Sequence, residues 1–193
     1  MIFYIEKLSE KFGKYSLFFD SAVVIFASLL IGLFSQFELI IPFSPVPLTL
    51  QTFAVLLCGL ILGKTRGAIS VILYLIEGAS GLPFFAGGGF GVRYIFGPSG
   101  GYLLGFICAA YLSGLFAELN FTKNYFKTLI ALIISNFSIY IFGLFYLSIF
   151  VGSKLVFELG LYPFLVSDLI KIVFLSLSFP FISKVLKARE KFY

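Results

Sequence analysis

The amino-acid sequence predicts an all-α integral membrane protein with six transmembrane helices and a re-entrant, glycine-rich loop on its outer side. Hydrophobic residues make up 60% of the 193 residues and charged residues only 12%, and the mean hydropathy is +1.08. Such values do not fit a water-soluble domain. The chain also contains several apolar runs of about 20 residues, the length that a helix needs to cross ~30 Å of hydrocarbon. We therefore expect a single transmembrane domain over residues 1–193.

Six apolar segments are the predicted spans: 17–41, 49–62, 67–76, 100–118, 129–151 and 162–186. The first is too long for a signal-peptide core, which favours a permanent span. The second and third are short, because helices of these lengths reach only about 21 Å and about 15 Å. Irregular backbone at membrane depth is tolerated where it is buried or lines a cavity. The flanking segments, the proline-rich 41–47 and the glycine-rich stretch, are therefore candidates for such a cavity.

The distribution of Lys and Arg predicts the orientation. One side collects eleven of these residues, which are Lys7, Lys11, Lys14, Lys64, Arg66, Lys123, Lys127, Lys184, Lys187, Arg189 and Lys191. The other side collects two, Arg93 and Lys154. The positive-inside rule places the eleven, and both termini, in the cytoplasm of a multi-pass protein. The same rule explains the net charge of +5 better than nucleic-acid binding does, since no basic stripe interleaved with aromatic residues occurs.

Several classes of site find no support in the sequence. Histidine is absent, which removes the commonest general base and metal ligand. Cys58 and Cys108 stand alone in apolar runs, so neither a disulfide framework nor a zinc site is indicated. Catalytic triads and His-carboxylate metal sites are therefore unsupported. We expect no metal and no cofactor, and a function other than that of an enzyme is favoured.

The glycine-rich stretch, residues 81–106, reads GLPFFAGGGFGVRYIFGPSGGYLLGF. Its spacing fails both phosphate-binding fingerprints, because Val92 stands where a third glycine is needed and nothing resembles GxxxxGK[ST]. We interpret the glycines as a tight re-entrant loop that approaches a ligand or helix closely. Arg93 is its only cation, and three partners are open for it: a ligand carboxylate, a lipid headgroup or Glu77.

The last predicted span contains Asp168 and Lys171 in otherwise apolar sequence. Ionisable residues inside a span are costly and usually face a cavity or a partner. Their i, i+3 spacing places them on one helical face. They either neutralise each other or form the polar head of a cavity that is open to the outside. An adjacent acceptor and donor suit a ligand with neighbouring N–H and C=O groups, such as an amide or a cyclic urea.

Uncharged polar residues in the other spans leave two roles open. Gln51 and Asn136 are expected to hydrogen-bond between helices or to contact a ligand. Ser28 and Gly32 form a small-xxx-small pair that permits close approach of another helix, internal or from another protein.

Three segments resemble the BioY family, the biotin-specific substrate-binding (S) components of energy-coupling factor (ECF) vitamin transporters. They are IPFSPVPLTLQTF, YLIEGASGLPFFAGGGFGVRYIFGPSGGYLLGF and PFLVSDLIK, and the resemblance covers residues 41–171. It implies the six-helix S-component fold in the cell membrane of a bacterium or archaeon. It also implies capture of biotin from outside and partnership with a transmembrane coupling protein and two ABC-type ATPases.

The resemblance implies roles for individual residues. Asp168 would accept from the ureido N–H groups of biotin, and Lys171 would donate to the ureido C=O. The expected substrate-binding set is Asp168, Lys171, Arg93, Gly88, Gly89, Tyr102, Phe85 and Gln51. Gly89 and Leu103 stand where family members often carry polar or basic side chains, which leaves the partner of the biotin carboxylate open. The Ala-xxx-Ala docking pattern of these S components finds its nearest substitutes in Ala27, Ser28 and Gly32.

Three alternatives remain at this point. The chain is an S component for another small vitamin or heterocycle, an integral membrane enzyme acting on lipid with Asp168 as its only plausible reactive group, or a structural subunit. In the last case both charges should be replaceable by Leu without loss of function.

Overall fold

A computed structural model describes Ser9 and residues 13–190, without the side chains of Lys14 and residues 182–190. The predicted cytoplasmic cations Lys7, Lys11 and Lys191 lie outside the described residues. The α-helices are α1 (Ser16–Ser35), α2 (Gln51–Ala79), α3 (Val92–Ile95), α4 (Gly100–Glu118), α5 (Tyr125–Val151), α6 (Val156–Gly160) and α7 (Tyr162–Glu190). Short 3-10 turns occupy Gly13–Tyr15, Ala86–Gly88 and Phe121–Lys123. Two short strands, β1 (Glu38–Leu39) and β2 (Leu48–Thr49), pair antiparallel.

The first predicted span extends too far toward the C-terminus. It was expected to reach residue 41, but α1 ends at Ser35 and the chain then enters the β1–β2 ribbon. Glu38 pairs with Thr49 and Leu39 with Leu48, so the proline-rich segment 41–47 forms the turn of this ribbon. Apolar residues continue the hydropathy signal past Ser35, but the backbone there pairs with residues 48–50 instead of continuing the helix, and the Leu50 N–H donates to the Phe37 carbonyl at 3.1 Å.

Helix α2 contains both the second and the third predicted spans, and the chain reverses direction inside it. Gly63 has φ 85° and ψ 175°, which is not helical. The Gln51 side chain donates to the Tyr74 hydroxyl at 2.5 Å, whereas 23 residues of straight helix would separate them by about 35 Å. A Cβ atom on Gly67 would lie 2.8 Å from the Cα atom of Gly59. Residues 51–62 and 64–79 are therefore two closely packed arms of a helical hairpin.

The outer surface of the helices is apolar. Five helical stretches among the described residues are long and apolar enough to cross a membrane, with α2 counted once. Large hydrophobic side chains such as Phe18 (77% exposed) and Phe145 (79% exposed) point away from the protein. Such a surface suits lipid contact, since hydrocarbon imposes no penalty on exposed apolar groups.

Helices α2, α4, α5 and α7 supply most of the buried core. Small residues allow close packing there: a Cβ atom on Gly105 of α4 would lie 2.8 Å from the Cα atom of Ile139 of α5. Asn124 caps α5, because its side chain accepts from the Phe126 N–H at 2.8 Å. These four helices surround the site described next.

Candidate functional site

The two ionisable residues of α7 lie inside the protein and contact each other. Asp168 is 5% exposed and Lys171 is 7% exposed. Lys171 Nζ lies 2.9 Å from Asp168 Oδ1, as the i, i+3 spacing predicted. Moving both charges out of water costs free energy, so the buried ion pair is stable only because surrounding groups hydrogen-bond to it.

Asp168 accepts four hydrogen bonds that come from three elements of the fold. Its Oδ2 atom accepts from the Tyr140 hydroxyl at 2.6 Å and from Asn136 Nδ2 at 3.1 Å, both on α5. Its Oδ1 atom accepts from Lys171 Nζ and from the Thr52 hydroxyl, the latter at 3.2 Å. A carboxylate with these four partners has all of its acceptor positions occupied.

Lys171 uses its three N–H donors within the same cluster. Besides Asp168, it donates to the Thr49 carbonyl at 2.7 Å and to the Thr52 hydroxyl at 2.8 Å. Strand β2 presents the carbonyl, and the first turn of α2 presents the hydroxyl. The charges are therefore held by the segment LTLQT, residues 48–52, as well as by each other.

These two charges line a small cavity of about 40 Å³. Much of the remaining wall is apolar or aromatic, with Tyr102, Leu103, Phe106, Ile139 and Phe164 among its members. Val46 and Pro47 of the proline-rich segment contribute on one side. A charged head in an apolar wall fits an amphipathic ligand, and a ligand larger than a few waters requires the surrounding side chains to move.

The glycine-rich stretch closes part of the cavity. Phe85 is fully buried, stacks on Tyr94 with ring centroids 4.8 Å apart, and meets the edge of Tyr74. Ala86 and Tyr94 reach the cavity wall. Gly87 and Gly88 have φ values of 64° and 70°, which L-residues with side chains rarely adopt.

Gln36, just after α1, holds this stretch in place. Its Nε2 atom donates to the carbonyls of Pro83 (3.1 Å) and Phe85 (3.2 Å), and its Oε1 atom accepts from the Gly88 N–H at 3.1 Å. Ser35 adds a hydrogen bond to the Phe84 carbonyl. These hydrogen bonds connect the end of α1 to residues 83–88 of the glycine-rich stretch, which form the loop over the cavity.

The predicted substrate-binding residues fall into two groups. Asp168, Lys171, Tyr102 and Gln51 line the cavity. Phe85, Gly88, Gly89 and Arg93 are not among its lining residues.

The residues of the second group contribute differently. Phe85 supports the loop, and Gly89 packs so closely on Tyr94 that a Cβ atom would lie 2.4 Å from the ring. Arg93 is exposed and has no hydrogen bond or ion pair to any residue that the structure describes, Glu77 included. The structure therefore leaves the side chain of Arg93 without a protein partner among the described residues.

Sequence reasoning missed part of the charge cluster. Thr52, Tyr140 and the carbonyl of Thr49 contact the charges, yet none of them was singled out. Asn136 was noted, and Tyr140 follows it at i, i+4 on the same face, a spacing that would have indicated it. Gln51 and Asn136 make hydrogen bonds between segments, with Tyr74 and Asp168 respectively, and Gln51 also lines the cavity.

The three residues expected to dock a partner are buried inside the chain itself. Ala27 is 5% exposed and Ser28 is 0% exposed, and Gly32 packs against the Phe84 ring. In this structure they offer no surface to another protein. The small side chains instead permit α1 to approach the rest of the fold.

Comparison with known proteins gives consistent matches. The model of the BioY family matches residues 12–188. The "Probable biotin transporter BioY" of Pyrococcus horikoshii is 40% identical over 134 residues, which are 69% of this chain and 78% of that protein. The "Biotin transporter BioY" of Thermotoga maritima is 42% identical over 135 residues, with the same two shares.

A solved structure matches the fold as well. It is the crystal structure of the S-component for biotin from an ECF-type ABC transporter, with a TM-score of 0.76 and 27% sequence identity. The match covers 86% of this chain and 90% of that one. The expected all-helical S-component fold is thus confirmed.

Proposed function

Because the chain belongs to the BioY family, we propose that it is the substrate-binding component of a biotin transporter, which captures biotin at the outer face of a cell membrane. The family is one of transporter S components, which are not enzymes. The multi-pass helices and the relatives from bacteria and archaea support location in the cell membrane of such an organism.

The buried Asp168–Lys171 pair carries this proposal. The ureido ring of biotin offers N–H groups beside a C=O group. Asp168 Oδ1 is an acceptor and Lys171 Nζ a donor, 2.9 Å apart, so one ring can meet both. A ligand that displaces the Thr52 hydroxyl from this pair without offering these groups would leave a buried acceptor and a buried donor without a hydrogen bond, which costs about 1–3 kcal/mol each. The apolar wall around Phe106 and Phe164 suits the thioether ring and the aliphatic chain.

The topology is part of the proposal. With the α2 hairpin counted as two crossings, the chain crosses the membrane six times and both termini are cytoplasmic. The loop over the cavity then faces outside, where biotin is captured. We assign the biotin carboxylate to Arg93, since this exposed cation belongs to the glycine-rich stretch and has no partner among the described residues.

Energy for uptake is proposed to come from partners. The sequence has neither phosphate-binding fingerprint, so a transmembrane coupling protein and two ABC-type ATPases would supply ATP hydrolysis. Membrane lipid surrounds the apolar helix faces. The docking surface for these partners lies elsewhere than on Ala27, Ser28 and Gly32, which are buried.

The direct test is equilibrium binding of labelled biotin to the purified protein in detergent, for the wild type and for Asp168→Asn. We expect saturable binding by the wild type and a loss of at least about tenfold in Asp168→Asn. Competition by other small vitamins should fail. Absence of wild-type binding, or stronger competition by another heterocycle, would reject biotin as the substrate.

A further inference from the structure

The two oxygens of Asp168 have different surroundings, and this difference suggests how the site receives its ligand. We propose that Oδ1 alone accepts from the ligand, at the place that the Thr52 hydroxyl takes, while Asn136 and Tyr140 are positioning residues that hold Oδ2. This inference rests on the proposed function, because the ligand is taken to carry a ureido group.

Asp168 Oδ2 accepts from two buried donors, and loss of either hydrogen bond would be unfavourable. Tyr140 (5% exposed) and Asn136 (4% exposed) both donate to it, at 2.6 and 3.1 Å. One carboxylate oxygen offers about two lone-pair positions. A ligand N–H at Oδ2 would therefore displace a buried donor and leave it unpaired, which is unfavourable.

The hydrogen bonding of the Asn136 amide indicates that this side chain orients the Asp168 carboxylate. Since a carboxylate oxygen only accepts, the amide nitrogen must face Asp168. The other amide atom, Oδ1 of Asn136, is then buried without a hydrogen-bond donor among the described residues. The side chain thus keeps its bond to Asp168 although its own oxygen remains unpaired.

Oδ1 of Asp168 has a partner that is easier to displace. The Thr52 hydroxyl donates to it at 3.2 Å, the longest of the four bonds to this carboxylate. The same hydroxyl accepts from Lys171 Nζ at 2.8 Å. It therefore makes the two contacts that a ureido N–H and C=O would make. Thr52 is only partly buried and lines the cavity, so its hydroxyl can rotate away.

Two substitutions in this cluster should affect the affinity for biotin differently. Tyr140→Phe removes a positioning hydrogen bond and should weaken biotin binding about tenfold. Thr52→Val keeps the shape and removes the competing hydroxyl, so biotin should bind at least as tightly as to the wild type, and up to about fivefold tighter.

The test compares dissociation constants for biotin and for two analogues, each methylated at one ureido nitrogen. The analogue whose methyl replaces the hydrogen facing Asp168 has already lost that interaction. Tyr140→Phe should therefore weaken biotin about tenfold and change the affinity of this analogue less than about twofold. Tyr146→Phe is the matched control, since this tyrosine lies on the same helix and donates to the Phe96 carbonyl instead. If Tyr140→Phe does not fold, the same affinities are measured for Asn136→Leu, which removes the other donor to Asp168 Oδ2.

Each outcome decides one part of the proposal. Equal weakening of biotin and both analogues, or no weakening at all, would overturn the positioning role of Tyr140 and Asn136. A loss of more than about threefold in Thr52→Val would overturn the displacement of its hydroxyl. Failure of the wild type to bind biotin would instead reject the proposed function.

Discussion

Removal of Lys171, the one buried cation among the side chains that the structure describes, is expected to destabilise the protein strongly. In Lys171→Met the Asp168 carboxylate, 5% exposed, keeps three uncharged donors and loses its counter-charge. Breaking a buried ion pair in this way typically costs about 3–5 kcal/mol. For a chain of this size that corresponds to a fall of roughly 10 °C in the unfolding midpoint.

The double variant Asp168→Asn with Lys171→Met is the variant to compare with Lys171→Met alone. It removes both charges, so no uncompensated charge remains in the core. Replacement of a whole buried pair is often close to neutral. We therefore expect the double variant to unfold at a higher temperature than Lys171→Met alone, although neither should bind biotin.

A thiol-reactive fluorescent dye provides the assay in detergent. Cys58 is 3% exposed and becomes accessible only when the helices separate. Cys108 is partly exposed, so the series is made in a Cys108→Ala background. If the double variant is as unstable as Lys171→Met or less stable, the two charges do not stabilise each other and the reasoning is refuted.

Two further predictions concern the loop over the cavity. Gln36→Glu removes the donor to the Pro83 and Phe85 carbonyls and should speed biotin dissociation about tenfold in stopped-flow measurements; an unchanged rate would show that this side chain does not hold the loop closed. Arg93→Gln should weaken biotin up to about fivefold, as for an exposed ion pair, and leave the neutral biotin amide unaffected. Equal effects on both ligands would contradict the assignment of the carboxylate.

The sequence predicted the elements whose signal is local. The helix Gly100–Glu118 begins and ends where hydropathy placed the span 100–118. The contact between Asp168 and Lys171 follows from i, i+3 spacing alone. Hydropathy misplaced the end of the first helix, because it measures polarity and does not distinguish the helix ending at Ser35 from the apolar ribbon after it.

The remaining contacts were hidden because they join distant parts of the chain. Thr52 lies 116 residues from Asp168, and Tyr140 lies 28 residues from it. A threonine at a helix start is common, so Thr52 attracts no notice without the fold. The only local signal for Tyr140 is its i, i+4 spacing from Asn136. The burial of Ala27 and Ser28 is equally non-local, since small residues suit an internal helix contact as well as an external one.

A structure of the protein with biotin bound would decide whether the buried Asp168–Lys171 pair holds the ureido ring. We expect the ureido ring at the buried pair, with one N–H about 3 Å from Asp168 Oδ1 and the C=O about 3 Å from Lys171 Nζ. Tyr140 and Asn136 should still donate to Asp168 Oδ2. Biotin bound elsewhere, or with its carboxylate at Lys171 and its ureido ring away from Asp168, would contradict the proposed binding mode.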